Sequence, residues 1–148
     1  LRARDVFDER WPVVDAGGTL RGKEANMANA FVHVELHTND LPRARDFYSR
    51  LFDWKLQDVP MPGGGSYTMI EVGTGTGGGM MVNQAPGVPP HWLAYVGVDD
   101  IRASTRKAQE LGAKVVMDAM EVAEYGWMSV ITDPTGATLA LWQPKGGK

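Results

Sequence analysis

The chain has 148 residues, a formal charge of −3 and 43% hydrophobic side chains, enough apolar material for one domain with its own core. It has no cysteine, which excludes a disulfide framework, a thiolate nucleophile and a cysteine metal site. The net acidity argues against a phosphate-binding surface and a nucleic-acid partner. No apolar run approaches the roughly 18 residues of a membrane span. With no basic start leading into an apolar stretch, the expected location is cytoplasmic.

Residues 1–27 are charged and show little periodicity, so they read as a leader or expression-derived arm, partly ordered at most. A native arm would pack through Phe7, Trp11, Pro12, Val13 and Val14. The domain is expected over 28–144. Phe31 to His37 alternates apolar and polar residues, the pattern of a strand. Val32, Val34 and Leu36 fall on one face, and Phe31, His33, Glu35 and His37 on the other. Thr38, Asn39 and Asp40 then offer helix caps, and Leu41, Ala44, Tyr48 and Leu51 recur at helical spacing. Pro42 suits the first turn, where a missing N–H is harmless.

Three strands follow the helix: Trp54 to Val59, Tyr67 to Val72, and Met80 to Asn83. Glycine-rich loops separate them. The run from Gly73 to Gly79 lacks the lysine and hydroxyl residue of a phosphate loop, and no helix follows, so it reads as a flexible hairpin. The order then repeats. Trp92 to Val98 is a strand. Ile101, Ser104, Ala108 and Leu111 form a helical stripe sixty positions after Leu41, Ala44, Tyr48 and Leu51. Short strands at Lys114 to Met117, Trp127 to Thr132 and Ala137 to Trp142 complete the unit, with a turn at Asp133 to Gly136. The fold class is therefore α+β: two βαβββ modules, 31–84 and 91–144, joined by a linker at 85–90 and followed by a flexible tail at 145–148. The modules are expected to form a curved, partly open mixed-sheet barrel with helices outside and a cleft inside.

Three segments, HVELHTNDLPRARDFYSRLFDW, VGVDDIRASTRKAQELGAKV and ITDPTGATLALWQP, in this order and spacing, resemble the vicinal oxygen chelate superfamily, the glyoxalase, bleomycin-resistance and extradiol-dioxygenase group. The resemblance implies paired βαβββ modules, often a homodimer, and a site inside the curved sheet. In its metal-using members a divalent ion polarises substrate oxygens. Carried onto this chain, the ligand positions implied are His33, Leu93, Met81 (or Met80 in a shifted register) and Ala140. Only His33 is a good ligand. Leucine and alanine supply none, and a thioether is a poor partner for a hard ion. The chain thus reads as a subgroup lacking most of the usual ligands, with no cofactor expected. A divalent metal held by His33, Glu35 and His91 is the alternative.

His33 and Glu35 are the candidate catalytic pair, on which any proton transfer would rest: an imidazole exchanges protons near neutral pH, and Glu35 would pair with it or with a ligand. His37, Tyr67, Met81, His91, Leu93, Tyr125, Trp127 and Ala140 are the candidate ligand-binding residues. Aromatic side chains among them suit a small, partly apolar or aromatic molecule, and the methionines add adaptable surface. The expected function is binding such a molecule in a sheet-lined cleft without the usual metal. The alternatives are a divalent-metal lyase, isomerase or dioxygenase with an atypical ligand set, and a drug-sequestering resistance protein.

Overall fold

The computed structural model describes residues 29–61 and 63–146. The leader expected at 1–27 lies outside them. The elements run β1 (Phe31–Thr38), α1 (Leu41–Leu51), β2 (Lys55–Pro60), β3 (Ser66–Glu71), β4 (Gly78–Val82), β5 (His91–Gly97), α2 (Ile101–Glu110), β6 (Lys114–Val122), β7 (Gly126–Thr132) and β8 (Thr138–Pro144). This is the βαβββ order met twice.

Both helices start the same way. Asp40 accepts a hydrogen bond from the Arg43 N–H, and Asp100 accepts one from the Ala103 N–H. Each carboxylate satisfies a backbone donor left unpaired by the first helical turn. The eight strands form one mixed sheet in the order β2-β3-β4-β1-β5-β8-β7-β6. β1 runs parallel to β4 and β5 parallel to β8, so each module closes on its own first strand. β1 and β5 pair antiparallel at the centre and join the modules within one chain. The sheet is open, with β2 and β6 at its edges.

The strand alternation sorts side chains onto two faces. Leu36, Ile70 and Met80 meet Leu41, Ala44 and Tyr48 from the α1 stripe. Ile131 and Leu141 meet Ile101 and Ala108 of α2. Both helices therefore cover the same face of the sheet. The other face carries His33, Glu35 and His37, with Leu93, Tyr95, Val130 and Ala140 buried among Met117, Met128 and Trp142.

The structure corrects the sequence reading at three places. β6 continues to Val122, well past the expected stop at Met117. Two register shifts interrupt its pairing with β7, and Ala119 takes a positive φ of 43°. Such bulges erase the period-2 signal that marks a strand. The glycine run is not all hairpin, since Gly78 and Gly79 belong to β4. Lys145 is no loose tail: its ammonium donates to Glu121 and to the Ala123 carbonyl, and it lies over the Trp127 ring.

Gly79 has a steric reason. It pairs with Glu35 on one side and Met69 on the other, and a Cβ built there would fall inside the Tyr67 phenol. The missing side chain lets Tyr67 lie down across the sheet. Gly79→Ala should destabilise the fold by about 1–3 kcal/mol in urea unfolding, the usual cost of overpacking. That penalty should vanish in a Tyr67→Ala background. Equal penalties in both backgrounds would mean that the phenol is not what the glycine accommodates.

Candidate functional site

The helix-free face is organised around Glu35, at the middle of β1. The residue is 7% exposed. A lone carboxylate so placed would be costly. Three donors answer it: the Tyr67 hydroxyl donates to Oε2 at 2.6 Å, the Tyr95 hydroxyl to Oε1 at 2.8 Å, and His37 Nε2 to Oε1 at 2.7 Å. Hydrogen bonds to a charged group contribute about 1.5–3 kcal/mol each, so three can offset several kcal/mol of desolvation. Burial pushes the Glu35 pKa up, but the bonds from His37, Tyr67 and Tyr95 outweigh it and hold the carboxyl below its ordinary value. Glu35 is ionised. Burial, with the Glu35 charge beside them, drives both phenols well above their ordinary range, so each keeps its proton as a donor.

That assignment fixes His33. Its Nε2 lies 2.7 Å from the Tyr67 hydroxyl. The hydroxyl's single proton is given to Glu35, so the oxygen accepts from His33, which must carry its proton on Nε2. Burial lowers the His33 pKa, against the pull of Glu35, so the ring is neutral at neutral pH. Its Nδ1 then holds a lone pair with no partner among the described residues. The His33 side chain is 25% exposed, so solvent and a bound molecule can reach the ring. The Tyr95 ring stands edge-on to the imidazole at 5.3 Å.

Toward the end of β1, His37 stacks on His91 with ring centroids 4.9 Å apart. The two residues face each other across β1 and β5. His91 donates from Nδ1 to the Pro89 carbonyl at 2.8 Å, which leaves its Nε2 as an acceptor when the ring is neutral. The other half of the face is apolar. Leu93 stands opposite Glu35, Ala140 beside Tyr95, and Met128 beside Trp142. The site thus has a polar strip along β1 and an apolar floor over β5, β8 and β7. It is an aromatic-lined cleft suited to a small molecule.

The structure gathers His33, Glu35, His37, Tyr67, His91, Leu93 and Ala140 on this face and sets two candidates apart. Trp127 is on the opposite face, packed with the α2 core near Ile101 and Ile131. Tyr125 is 61% exposed in the β6–β7 turn. Their sequence alternation was real, but a strand has two faces and alternation alone does not say which holds the site. Met81 faces His37 beside the polar strip, while Met80 is fully buried under α1. Tyr95 escaped the sequence reading. It sits sixty positions after Glu35, so the internal repeat pointed to it. Two cavities, of about 330 and 280 Å³, lie at Asp100, Trp127 and Gln143 and at Val34, Trp54 and Trp92; neither touches the Glu35 network.

The family resemblance implies metal ligands at four strand positions. The parallel register makes Gly79, beside Glu35, the counterpart of Ala140, beside Tyr95, so the module-one position is Gly79 and not Met81. Only His33 of His33, Gly79, Leu93 and Ala140 offers a donor atom. The Tyr67 phenol fills the space over Gly79, and both Glu35 oxygens are engaged. Among the described residues no group of three or more histidine, aspartate or glutamate side chains could hold a metal ion, and His33, Glu35 and His91 form none. These residues do not fit a divalent ion held at the four strand positions.

Residues 30–141 match the glyoxalase, bleomycin-resistance protein and dioxygenase superfamily. CFP32 of Mycobacterium tuberculosis, whose name assigns it provisionally to the glyoxylases, is 40% identical over 114 residues, covering 74% of this chain and 44% of its own length. The anthracycline biosynthesis protein DnrV of Streptomyces peucetius is 31% identical over 128 residues, covering 74% of this chain and 45% of its own. The chain spans less than half the length of these curated relatives. Among solved structures, methylmalonyl-CoA epimerase of Mycobacterium tuberculosis superposes with a TM-score of 0.64 at 18% identity, over 84% of this chain and 94% of that one. A hypothetical protein of Bacillus halodurans gives 0.64 at 15% identity, over 82% and 99%. These likenesses are of fold.

The two perturbed groups predict an acid-sensitive fold. The folded pKa of His33 lies below its ordinary 6.5 and that of Glu35 below its ordinary 4.5. In both cases the unfolded chain binds more protons within the window, so stability falls as pH falls. Urea midpoints should decline first below about pH 6.5 and again below about pH 4.5. His33→Ala should flatten the first decline and Glu35→Gln the second. Midpoints of the wild type that stay level from pH 7 to pH 4 would contradict the network (about the range where these groups titrate).

Proposed function

The chain belongs to the glyoxalase, bleomycin-resistance protein and dioxygenase superfamily, and within it we propose a metal-independent binder of a small, partly apolar or aromatic molecule on the helix-free face. The observation that carries this reading is the division of that face. A hydrogen-bonded polar strip, His33–Tyr67–Glu35–His37, borders an apolar floor of Leu93, Val130, Ala140, Met128 and Trp142. Ligand sites combine these features: apolar contact for affinity and a few placed polar atoms for orientation. The names of the relatives agree with an aromatic ligand in one respect, since an anthracycline is a fused-ring aromatic compound.

Within this reading, His33 and Glu35 divide the labour. Glu35 has no oxygen left unbonded and little tendency to take a proton, so it is a positioning residue. It holds the two phenols and His37, and through Tyr67 it sets which nitrogen of His33 is protonated. His33 Nδ1 is then the atom that accepts a hydrogen bond from bound ligand, or a proton in any turnover.

The test uses N-phenyl-1-naphthylamine, an uncharged aromatic fluorophore with one N–H donor. The wild type should bind it saturably, one per chain. Met128→Ala and His33→Ala should each weaken it by about two- to tenfold, the range of one lost apolar or hydrogen-bonding contact. No saturable binding, or binding indifferent to both substitutions, would overturn the reading. Stoichiometric divalent metal retained by untagged protein and lost in His33→Ala would favour the metal-dependent alternative instead.

A further inference from the structure

The same face also carries information on ligand charge. β1, β3, β4, β5, β7 and β8 contain no lysine or arginine at all. The two lysines of the sheet strands stand on its edges, Lys55 in β2 and Lys114 in β6, and Lys55 pairs across the strands with Glu71. At the centre sits Glu35, whose donors are two phenols and one imidazole. An anionic head group placed on β1 would meet the Glu35 charge with no lysine or arginine on its strand or either neighbour.

The hydrogen-bonding polarity points the same way. His33 has its proton committed to Tyr67, and His91 has its proton committed to the Pro89 carbonyl. His37 donates from Nε2 to Glu35. In their neutral forms the three rings leave His33 Nδ1, His37 Nδ1 and His91 Nε2, all lone pairs. The polar strip offers acceptors to a ligand. It has spent its donors internally.

We propose that this face selects a ligand whose head group donates hydrogen bonds and carries no negative charge, a hydroxyl, amide N–H or ammonium, seated against His33, and that it discriminates against carboxylates and phosphates. The inference rests on the binding role proposed above and adds a ligand class to it. A carboxylate meets a like charge without compensation.

Three compounds with one apolar body separate the possibilities: 2-(2-naphthyl)ethanol, 2-(2-naphthyl)ethylamine and 2-naphthylacetate. Binding is measured by calorimetry at about pH 8.5, the alkaline end of histidine titration, and the site is located by the shifts of ¹³C-labelled methionine methyl groups of Met69, Met81 and Met128. The alcohol and amine should bind, and the acetate should bind at least about tenfold more weakly. Met69→Arg places a cation two strands from Glu35 at a position that is 37% exposed, so it tests charge without disturbing the core. It should raise acetate affinity several-fold and leave the alcohol unchanged. Acetate binding as tight as the alcohol in the wild type, or no gain for acetate in Met69→Arg, would overturn the charge selection while leaving the binding role standing. If none of the three binds or moves these methyl groups, the binding role itself fails and the selection falls with it.

Discussion

One buried carboxylate governs the arrangement of this site. Glu35 is too enclosed to stand alone, and Tyr67, Tyr95 and His37 are turned toward satisfying it. Tyr67 reaches it from β3 by lying across Gly79. Tyr95 reaches it from β5, the first strand of the other module. His37 folds back from two residues along the same strand. The network therefore crosses the seam between the modules, and the tautomer of His33 is a consequence of it. A change at any of these groups leaves a buried charge short of a donor, and that penalty exceeds the value of the bond itself.

The scaffold explains how a site of this kind arises from a duplicated unit. Antiparallel pairing of β1 with β5 places equivalent positions of the two modules on one face, near the centre of a wide sheet. The repeat supplies four facing positions, and here they carry His33, Gly79, Leu93 and Ala140. Two of the four are too small to project into the cleft and a third is apolar. The space above one of them is filled by a phenol. The same backbone geometry that could converge ligands on an ion instead supports a hydrogen-bonded carboxylate beside an apolar floor. Fold likeness to enzymes such as methylmalonyl-CoA epimerase is compatible with that difference, because the fold sets positions and the side chains set chemistry.

Much of the architecture was legible in the sequence because its signals are local and repeated. Asp40 and Asp100 mark the two helix starts, and the sixty-residue offset between their helical stripes announces two units. The alternation of Phe31 to His37 put His33, Glu35 and His37 on one face. What could not be read depends on contacts between distant strands. Bulges around Ala119 hid the length of β6. Nothing in the alternation of Tyr125 and Trp127 said that the latter packs beneath α2. The register of β4 turned on two glycines that look like hairpin residues until Val34 and Tyr67 are seen against them. Tyr95 was within reach through the repeat, but its importance follows only from its hydroxyl meeting Glu35.

The central claim is that Glu35, acting through Tyr67, holds the His33 proton on Nε2 and leaves Nδ1 unprotonated. Long-range ¹H–¹⁵N correlation spectra of the histidine rings read this directly. At about pH 7.5, above the ordinary histidine pKa, His33 should show the neutral Nε2–H pattern, and Tyr67→Phe should relax it toward a mixture of tautomers. A His33 ring that is protonated on both nitrogens, or that carries its proton on Nδ1 in the wild type, would contradict the account.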